Sequence, residues 1–181
     1  MSDAPAHPEP DRVHGAPHPR DAAALHGQES AERAFLDAWA AGKLHHAWLL
    51  RGPRGVGKAT LAYRIARARL AHDDRPGLLG APAAPRTLDV DPEHPVARRM
   101  AARGESSLRV VTRTLNTASK PHRLRGEITV DAVLPLYDFL QLSAPDGGWR
   151  AVVLDAADEM NRSAANKLLK MLEEPPPRVL M

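Results

Sequence analysis

The chain of 181 residues contains no cysteine and no long apolar run, and no signal-peptide pattern is visible near its start. Without cysteine it can form neither a disulfide nor a cysteine-ligated zinc site. A membrane-spanning helix would need roughly 18 consecutive apolar residues, and a signal peptide would need a shorter apolar core. We therefore expect a cytoplasmic protein with no membrane partner and no zinc.

The excess of positive charge is also small, with 25 Lys and Arg against 22 Asp and Glu, a formal charge of +3. Many arginines alternate with apolar residues on predicted helices, a pattern more typical of a solvated face than of a nucleic-acid patch, with contact to DNA left open. The apolar share of 43% fits one globular α/β domain. The arginines in question are Arg64, Arg67, Arg69, Arg98, Arg99 and Arg103.

Residues 1–20 are rich in proline, histidine and charge and have too little apolar surface to fold. We predict a disordered tail over 1–20, followed by a single domain over 21–181. His7, His14 and His18 share no helix face, and no carboxylate or cysteine completes a metal site with them. No metal site is therefore predicted.

Apolar spacing predicts the order of the elements after the tail. Strands are expected at 46–50, 108–112, 149–154 and 179–181, and the first is expected to be buried on both faces. Irregular residues 72–107 indicate an insertion with a short helix at 96–103. The last strand would be cut short at residue 181, so we expect an incomplete domain. Other helices are predicted from Ser30 to Gly42, from Lys58 to Ala71, after a cap at Asp131 with Pro135 in its first turn, and after a cap at Asn161 or Ser163.

A glycine-rich segment follows the first predicted strand and opens the second long helix. Gly52, Gly57 and Lys58 match G-x-x-x-x-G-K-[ST], with Gly55 between the two fixed glycines. In that motif backbone amides surround the phosphates of a nucleotide, and the lysine reaches the outer ones. The segment therefore predicts a phosphate-binding loop.

The hydroxyl that binds magnesium in this motif is missing, because Ala59 stands at its position. Thr60 follows it, but one step along a helix turns the side chain by about 100°. The loop is therefore expected to hold a nucleotide without hydrolysing it.

P-loop hydrolysis also uses acidic residues at the end of a neighbouring strand, and only one of the two is present here. Asp155 ends the apolar run 151–154, where P-loop enzymes place an acid for the magnesium shell. Ala156 follows, where a second acid would orient the attacking water. Asp158 and Glu159 lie beyond the strand, where we expect them to favour a helix start or solvent. No catalytic residue is predicted.

Four blocks of the sequence together resemble the bacterial clamp-loader subunits of the AAA+ class, and most of all those of the delta-prime type of DNA polymerase III. The resemblance extends over about residues 20–181. It implies a P-loop AAA+ fold, an α/β three-layer sandwich around a parallel central sheet. The blocks are 46–50, 52–60, 153–161 and 164–176, of which the last, A-A-N-x-L-L-K-x-L-E-E-P-P, is quite specific to this group.

The same resemblance implies a role in DNA replication, as a subunit of a DNA-directed DNA polymerase complex that loads the sliding clamp onto primed DNA. The implied partners are the gamma/tau and delta subunits and, through the complex, the clamp and the DNA. His26 and Gln28 match the segment near the adenine, Lys58 the phosphate position and Asp155 the magnesium position. ATP is the implied nucleotide, with magnesium only when the nucleotide binds.

Departures from the family pattern point to one kind of subunit. Motor subunits resembling this chain carry threonine or serine in place of Ala59 and an Asp-Glu pair in place of Asp155-Ala156, whereas delta-prime subunits are often degenerate there. We therefore predict a hydrolysis-deficient stator. The alternatives are an active gamma/tau-like motor in which Thr60 and Asp158 replace the missing groups, or an unrelated P-loop kinase.

Overall fold

The structure is a computed structural model that describes residues 9–10, 15–22, 24–74, 83–118, 123–141 and 147–181. The helices are α1 Glu29–Ala40, α2 Lys58–Ala71, α3 Pro95–Ala101, α4 Val130–Val133, α5 Pro135–Gln141 and α6 Arg162–Glu173. The strands are β1 Leu108–Val111, β2 Leu115–Asn116, β3 Arg123–Leu124, β4 Arg150–Leu154 and β5 Val179–Leu180. A 3-10 turn spans Ala157–Glu159.

A parallel sheet in the order β1-β4-β5 forms the centre of the fold. The segment 46–50 continues this sheet beyond β5. The Trp48 amide donates to the Met181 carbonyl at 2.9 Å, and the Met181 amide donates to the His46 carbonyl at 2.7 Å. The alternation of helices with parallel strands confirms the predicted α/β class.

Helices cover both faces of the sheet because β4 has apolar side chains on both sides. Successive residues of a strand point to opposite faces. Val152 packs in a core with α4, α5 and α6, while Val153 packs against α2 and α3. These two cores make the three layers expected of the fold. The buried members from the helices are Val133, Leu136, Leu140, Ala164 and Leu168 on the first face and Tyr63, Ala66, Val96 and Met100 on the second.

The segment 46–50 differs from its prediction as a strand buried on both faces. It has no assigned strand, since its described backbone bonds to the sheet involve a single residue, Met181. Leu49 is 74% exposed, whereas Trp48 and Leu50 pack against the core between α1 and α2. The prediction was wrong because an apolar run shows that a segment is hydrophobic, not how many of its sides are covered.

Two predicted helix starts also differ. α1 begins at Glu29 without a side-chain cap, and the Glu29 carboxylate instead accepts the Gly27 amide hydrogen at 2.9 Å. The predicted helix after Asp131 is split into α4 and α5, with Thr129 and not Asp131 at the N-cap position. Pro135 has no amide hydrogen with which to extend α4, and it begins α5.

The prediction that the arginines of α2 lie on a solvated face is wrong for two of them. Arg64 is 7% exposed and Arg69 is 1% exposed. The Arg69 guanidinium lies between two indole rings, 4.4 Å from the centroid of Trp39 and 4.2 Å from that of Trp149, and it pairs with Asp74. Burial, with a smaller effect of a neighbouring arginine, lowers the pKa of Arg69 to about 10.

Part of the predicted tail lies among the described residues. His18 is 3% exposed, and its ring meets the Tyr63 ring edge-on with 5.8 Å between centroids. Arg67 of α2 also donates to the Arg20 carbonyl. His7 and His14 lie outside the described residues, and the extent of the tail stays a prediction. Within the predicted insertion, α3 confirms the short helix.

Candidate functional site

The phosphate loop connects the segment 46–50 to α2 at the edge of the sheet where the parallel strands end. Open α/β sheets bind their ligands at this edge. Gly55 and Gly57 have φ values of 87° and 91°, in the left-handed region that favours glycine. A Cβ atom on Gly57 would also lie 2.5 Å from the Leu25 Cδ1 atom. A side chain at this position would therefore both strain the loop and push the Leu25 side chain aside.

Lys58 is the first residue of α2 and reaches back across the loop. Its Nζ donates to the Gly52 carbonyl at 2.9 Å and to the Pro53 carbonyl at 2.8 Å. The amine is therefore bound to the main chain of the loop itself, in the region where the motif predicts the outer phosphates.

The first turn of α2 offers a suitable environment for an anion. It contains no acidic residue, and the first amides of a helix have no partner within the helix. Ala59 and Thr60 occupy successive positions in this turn, so their side chains point in different directions. The methyl group of Ala59 offers no oxygen to a cation at the position where the motif needs one.

Gln28 approaches the phosphate loop from the start of α1. Its Nε2 donates to the Val56 carbonyl at 3.0 Å across 28 positions of sequence. The structure therefore brings Gln28 to the predicted site, whereas His26 is exposed beside Gly27. Hydrogen bonds from the backbone amides of Glu29 and Gly27, together with a smaller effect of the His26 charge, lower the pKa of the Glu29 carboxyl.

Asp155 lies directly after β4, at the same edge of the sheet as the loop. Its amide donates to the Val111 carbonyl at 2.9 Å and so extends the pairing with β1 by one residue. Ala156 places a methyl group at the next position. β5 lies between β4 and the segment that precedes the loop, so Asp155 and Lys58 follow strands that are not direct neighbours.

The two acids beyond Ala156 belong to the 3-10 turn. Asp158 is exposed, as predicted. Glu159 forms an ion pair with Arg113, with 2.8 Å between Nε and Oε2. The sequence pattern gave no sign of Arg113 as a partner, because the two residues come from different strand ends.

The donors at the site fit a phosphate group better than a magnesium shell. The loop supplies backbone amides and a lysine for phosphate, whereas the metal would find a carboxylate at Asp155 but no oxygen at Ala59 or Ala156. Within the described ranges, no group of three or more His, Asp or Glu side chains could hold a metal ion. None of the helices described is long and apolar enough to cross a membrane.

A family model and several known proteins that resemble this chain all point to subunits of the same enzyme. A family model described as DNA polymerase III, delta subunit matches residues 27–181. DNA polymerase III subunit delta' of Pseudomonas aeruginosa is 35% identical over 130 residues, 72% of this chain and 34% of the relative. DNA polymerase III subunit tau of Escherichia coli is 29% identical over 161 residues, 89% of this chain and 22% of the relative.

A gamma subunit extends the same set of relatives. DNA polymerase III subunit gamma of Buchnera aphidicola subsp. Schizaphis graminum is 26% identical over 153 residues, 84% of this chain and 36% of the relative. The chain thus spans about a third of the length of the delta' and gamma relatives.

Proposed function

The chain belongs to the family of DNA polymerase III delta subunits, and on this basis we propose that it is a delta-prime-like clamp-loader subunit that does not hydrolyse ATP. It would help to load the sliding clamp onto primed DNA, with gamma/tau and delta subunits as its partners. Replication of a bacterial chromosome takes place in the cytoplasm, which is the proposed location.

The observation that carries the stator role is the pair of methyl groups at Ala59 and Ala156. Ala59 lies on the first turn of α2 and Ala156 follows Asp155 at the end of β4, the two places from which a P-loop ATPase holds magnesium and directs water. Losing both groups removes oriented charge from the transition state, where P-loop enzymes obtain most of their rate.

The remaining parts of the site support binding rather than chemistry. ATP, if held, would place its phosphates among the loop amides and the start of α2, with Lys58 turned toward the outer phosphates. Magnesium would supply charge neutralisation in a working motor; Asp155 still offers a carboxylate for its shell, whereas Ala59 and Ala156 offer no oxygen, and we derive no step through the metal. The loop would then contribute shape and surface to a complex whose hydrolysis takes place in other subunits.

Steady-state ATP turnover by the purified full-length protein tests the stator role. We expect negligible turnover with magnesium present, and stimulation of turnover when the protein is mixed with gamma/tau and delta subunits. Turnover by the protein alone at about 1 per second or faster, the usual range of enzymes, would contradict the proposal if Lys58→Ala abolished it.

A gain-of-function variant makes the test sharper. Ala59→Thr combined with Ala156→Glu restores the hydroxyl and the acid, and we expect it to bind nucleotide in a magnesium-dependent way. Ala59→Val combined with Ala156→Gln is the matched control, because it has nearly the same shape without the hydroxyl or the charge. Equal magnesium dependence in the two variants would show that these positions are not the defect.

The second candidate function is an active motor subunit. It is favoured by the gamma and tau relatives, whose matches cover more of this chain than the delta' match does. In that case Thr60 and Asp158 would have to replace the missing groups. Thr60→Val and Asp158→Asn would then abolish turnover, whereas a stator has no turnover for them to change. Co-purification with loader subunits tests membership of the complex separately.

A further inference from the structure

The segment 112–126, between β1 and α4, differs in charge from the rest of the chain. It contains four of the 25 Lys and Arg residues and none of the 22 Asp and Glu residues. The other residues are therefore balanced to within one charge, and the formal excess of +3 comes from this segment. Charge of one sign concentrated in a short segment favours a partner of the opposite sign.

Strands β2 and β3 lie in this segment and sort its side chains by face. The antiparallel register places Asn116 opposite Arg123. The Arg125 amide donates to the Thr114 carbonyl at 2.8 Å and extends the pairing by one residue. Opposite residues of an antiparallel pair share a face, and successive residues alternate between faces. These four residues therefore share one face, which we call the basic face, and the leucine of each strand lies on the other.

The two arginines of the basic face are open to a partner. Both are exposed, as is Thr114, and within the described part of the chain neither guanidinium has an ion-pair or hydrogen-bond partner. Arg123 and Arg125 are two residues apart, about 7 Å along a strand. Two unpaired cations at this spacing can contact neighbouring phosphates of one nucleic-acid strand. Asn116 instead supports the chain after β2, since its Oδ1 accepts the Ala118 amide hydrogen at 3.1 Å.

Glu159 attaches both ends of this strand pair to the turn that follows β4. Its carboxylate pairs with Arg113, just before β2, with 2.8 Å between Oε2 and Nε. Its backbone carbonyl accepts the amide hydrogen of Ile128, after β3, at 2.7 Å, and Ile128 is fully buried. The basic face therefore has a fixed base beside the central sheet, and Arg113 is occupied within the protein.

We propose that the basic face contacts the phosphate backbone of nucleic acid. Arginine and threonine are common partners of phosphate oxygens, and such contacts do not read the base sequence. A protein partner fits less well, because protein interfaces have an apolar core and the leucines lie on the opposite face. The inference deepens the proposed clamp-loader role and rests on it for the identity of the nucleic acid, which is then primed DNA.

Binding of labelled DNA to the full-length protein, measured by fluorescence anisotropy at several salt concentrations, tests the proposal. In Arg123→Gln combined with Arg125→Gln we expect the affinity for duplex DNA to fall about tenfold at low salt. The slope of log K against log salt should become shallower by about 1.8 on duplex DNA and about 1.4 on single strands, since two phosphate contacts are lost. Arg123→Lys combined with Arg125→Lys keeps both charges and should keep most of the affinity.

Arg33→Gln combined with Arg98→Gln is the matched control. Both arginines are exposed, on α1 and α3, and the variant loses the same charge as the variant of the basic face. Its affinity and slope should stay close to those of the wild type. An equal loss in the two glutamine variants would overturn the proposal, because net charge alone would then explain it. So would wild-type binding by the variant of the basic face, or no measurable binding by the wild type at low salt.

Co-purification of the same variants with gamma/tau and delta subunits separates this proposal from the clamp-loader role. A protein that joins no loader complex but binds DNA through the basic face would keep the nucleic-acid surface and lose the proposed role. A protein that joins the complex but binds DNA independently of the basic face would keep the role and lose the surface. If the glutamine variant binds DNA normally and fails only to co-purify, the basic face meets an acidic protein surface and the proposal is overturned.

Discussion

Glu32 of α1 and Arg64 of α2 form an ion pair with 3.0 Å between Oε1 and Nε, and this pair connects the two helices that flank the phosphate loop. Both side chains are largely covered, with 20% and 8% of their surface exposed. Arg64 also pairs with the exposed Asp89 at 2.9 Å. The arginine is thus the centre of a small network between α1, α2 and the segment after residue 83.

Removing the acid from this pair is expected to destabilise the protein. Glu32→Ala leaves the buried Arg64 with one partner fewer, and we expect a loss of about 1–3 kcal/mol in the free energy of unfolding, the usual penalty for an unsatisfied buried group. Asp37→Ala on the exposed side of α1 is the control and should change it by less than about 0.5 kcal/mol. Urea unfolding measures the free energy of unfolding of both variants. Equal losses in Glu32→Ala and Asp37→Ala would contradict a stabilising role of the Glu32–Arg64 pair.

Replacing Arg69 should have a larger effect. Its guanidinium stacks between Trp39 and Trp149, and a planar group with delocalised charge is needed for both contacts. We expect Arg69→Ala to cost about 3–5 kcal/mol, because it leaves a large gap between two indole rings. Arg69→Lys fills part of the gap and should cost less. Unfolding followed by tryptophan fluorescence distinguishes them, and a mild Arg69→Ala phenotype would contradict the stacking.

The start of α6 offers a test in which the sequence itself supplies the control. Asn161 accepts the Ala164 amide hydrogen at 2.9 Å, whereas Ser163 lies inside the helix and is exposed. Asn161→Ala should lower the free energy of unfolding by about 1 kcal/mol, the usual value of an N-cap. Ser163→Ala should not lower it. The reverse order, measured by thermal unfolding, would assign the cap to Ser163.

His18 provides a test of the segment before α1. It is 3% exposed against Tyr63, and its ring nitrogens meet the Arg20 side chain. His18→Ala removes a buried ring, and we expect a loss of about 1–2 kcal/mol in the free energy of unfolding. The exposed His26 is the control, and His26→Ala should have little effect on stability. Equal and negligible effects would mean that the segment at 15–22 adds nothing to the fold.

Much of the fold could be predicted from local patterns. α2 and β4 were predicted almost to the residue, because a glycine loop marks the start of one and a run buried on both faces marks the other. The cap at Asn161 was also among the predicted ones. In each case the deciding interactions lie within a few residues of one another, or burial is complete on both sides.

Other features depend on residues far apart in the sequence. The burial of Arg69 requires Trp39 and Trp149, which come from different elements. The exposure of Leu49 depends on which sides of its segment are covered. No local pattern predicts either. β2 and β3 pair in an antiparallel way with two residues in each strand, too few for an alternating pattern to appear.

The candidate site divides in the same way. Its glycines, Lys58 and Asp155 were predicted from motif spacing, and the structure places them in the loop, at the start of α2 and directly after β4. Gln28 came only from family resemblance, and its bond to Val56 across 28 positions has no local signal. The hydrogen bonds of the Lys58 amine to the Gly52 and Pro53 carbonyls could not be predicted either, because the motif describes only the contact of the lysine with phosphate.

α2 is fixed at both ends, by the loop at Lys58 and by the two indole rings around Arg69. A helix of 14 residues is about 21 Å long and resists bending. A displacement of the loop would therefore move α2 as a rigid rod. The contact of Arg69 with Trp149, the residue just ahead of β4, would carry that movement to the start of the strand at the opposite end of the helix.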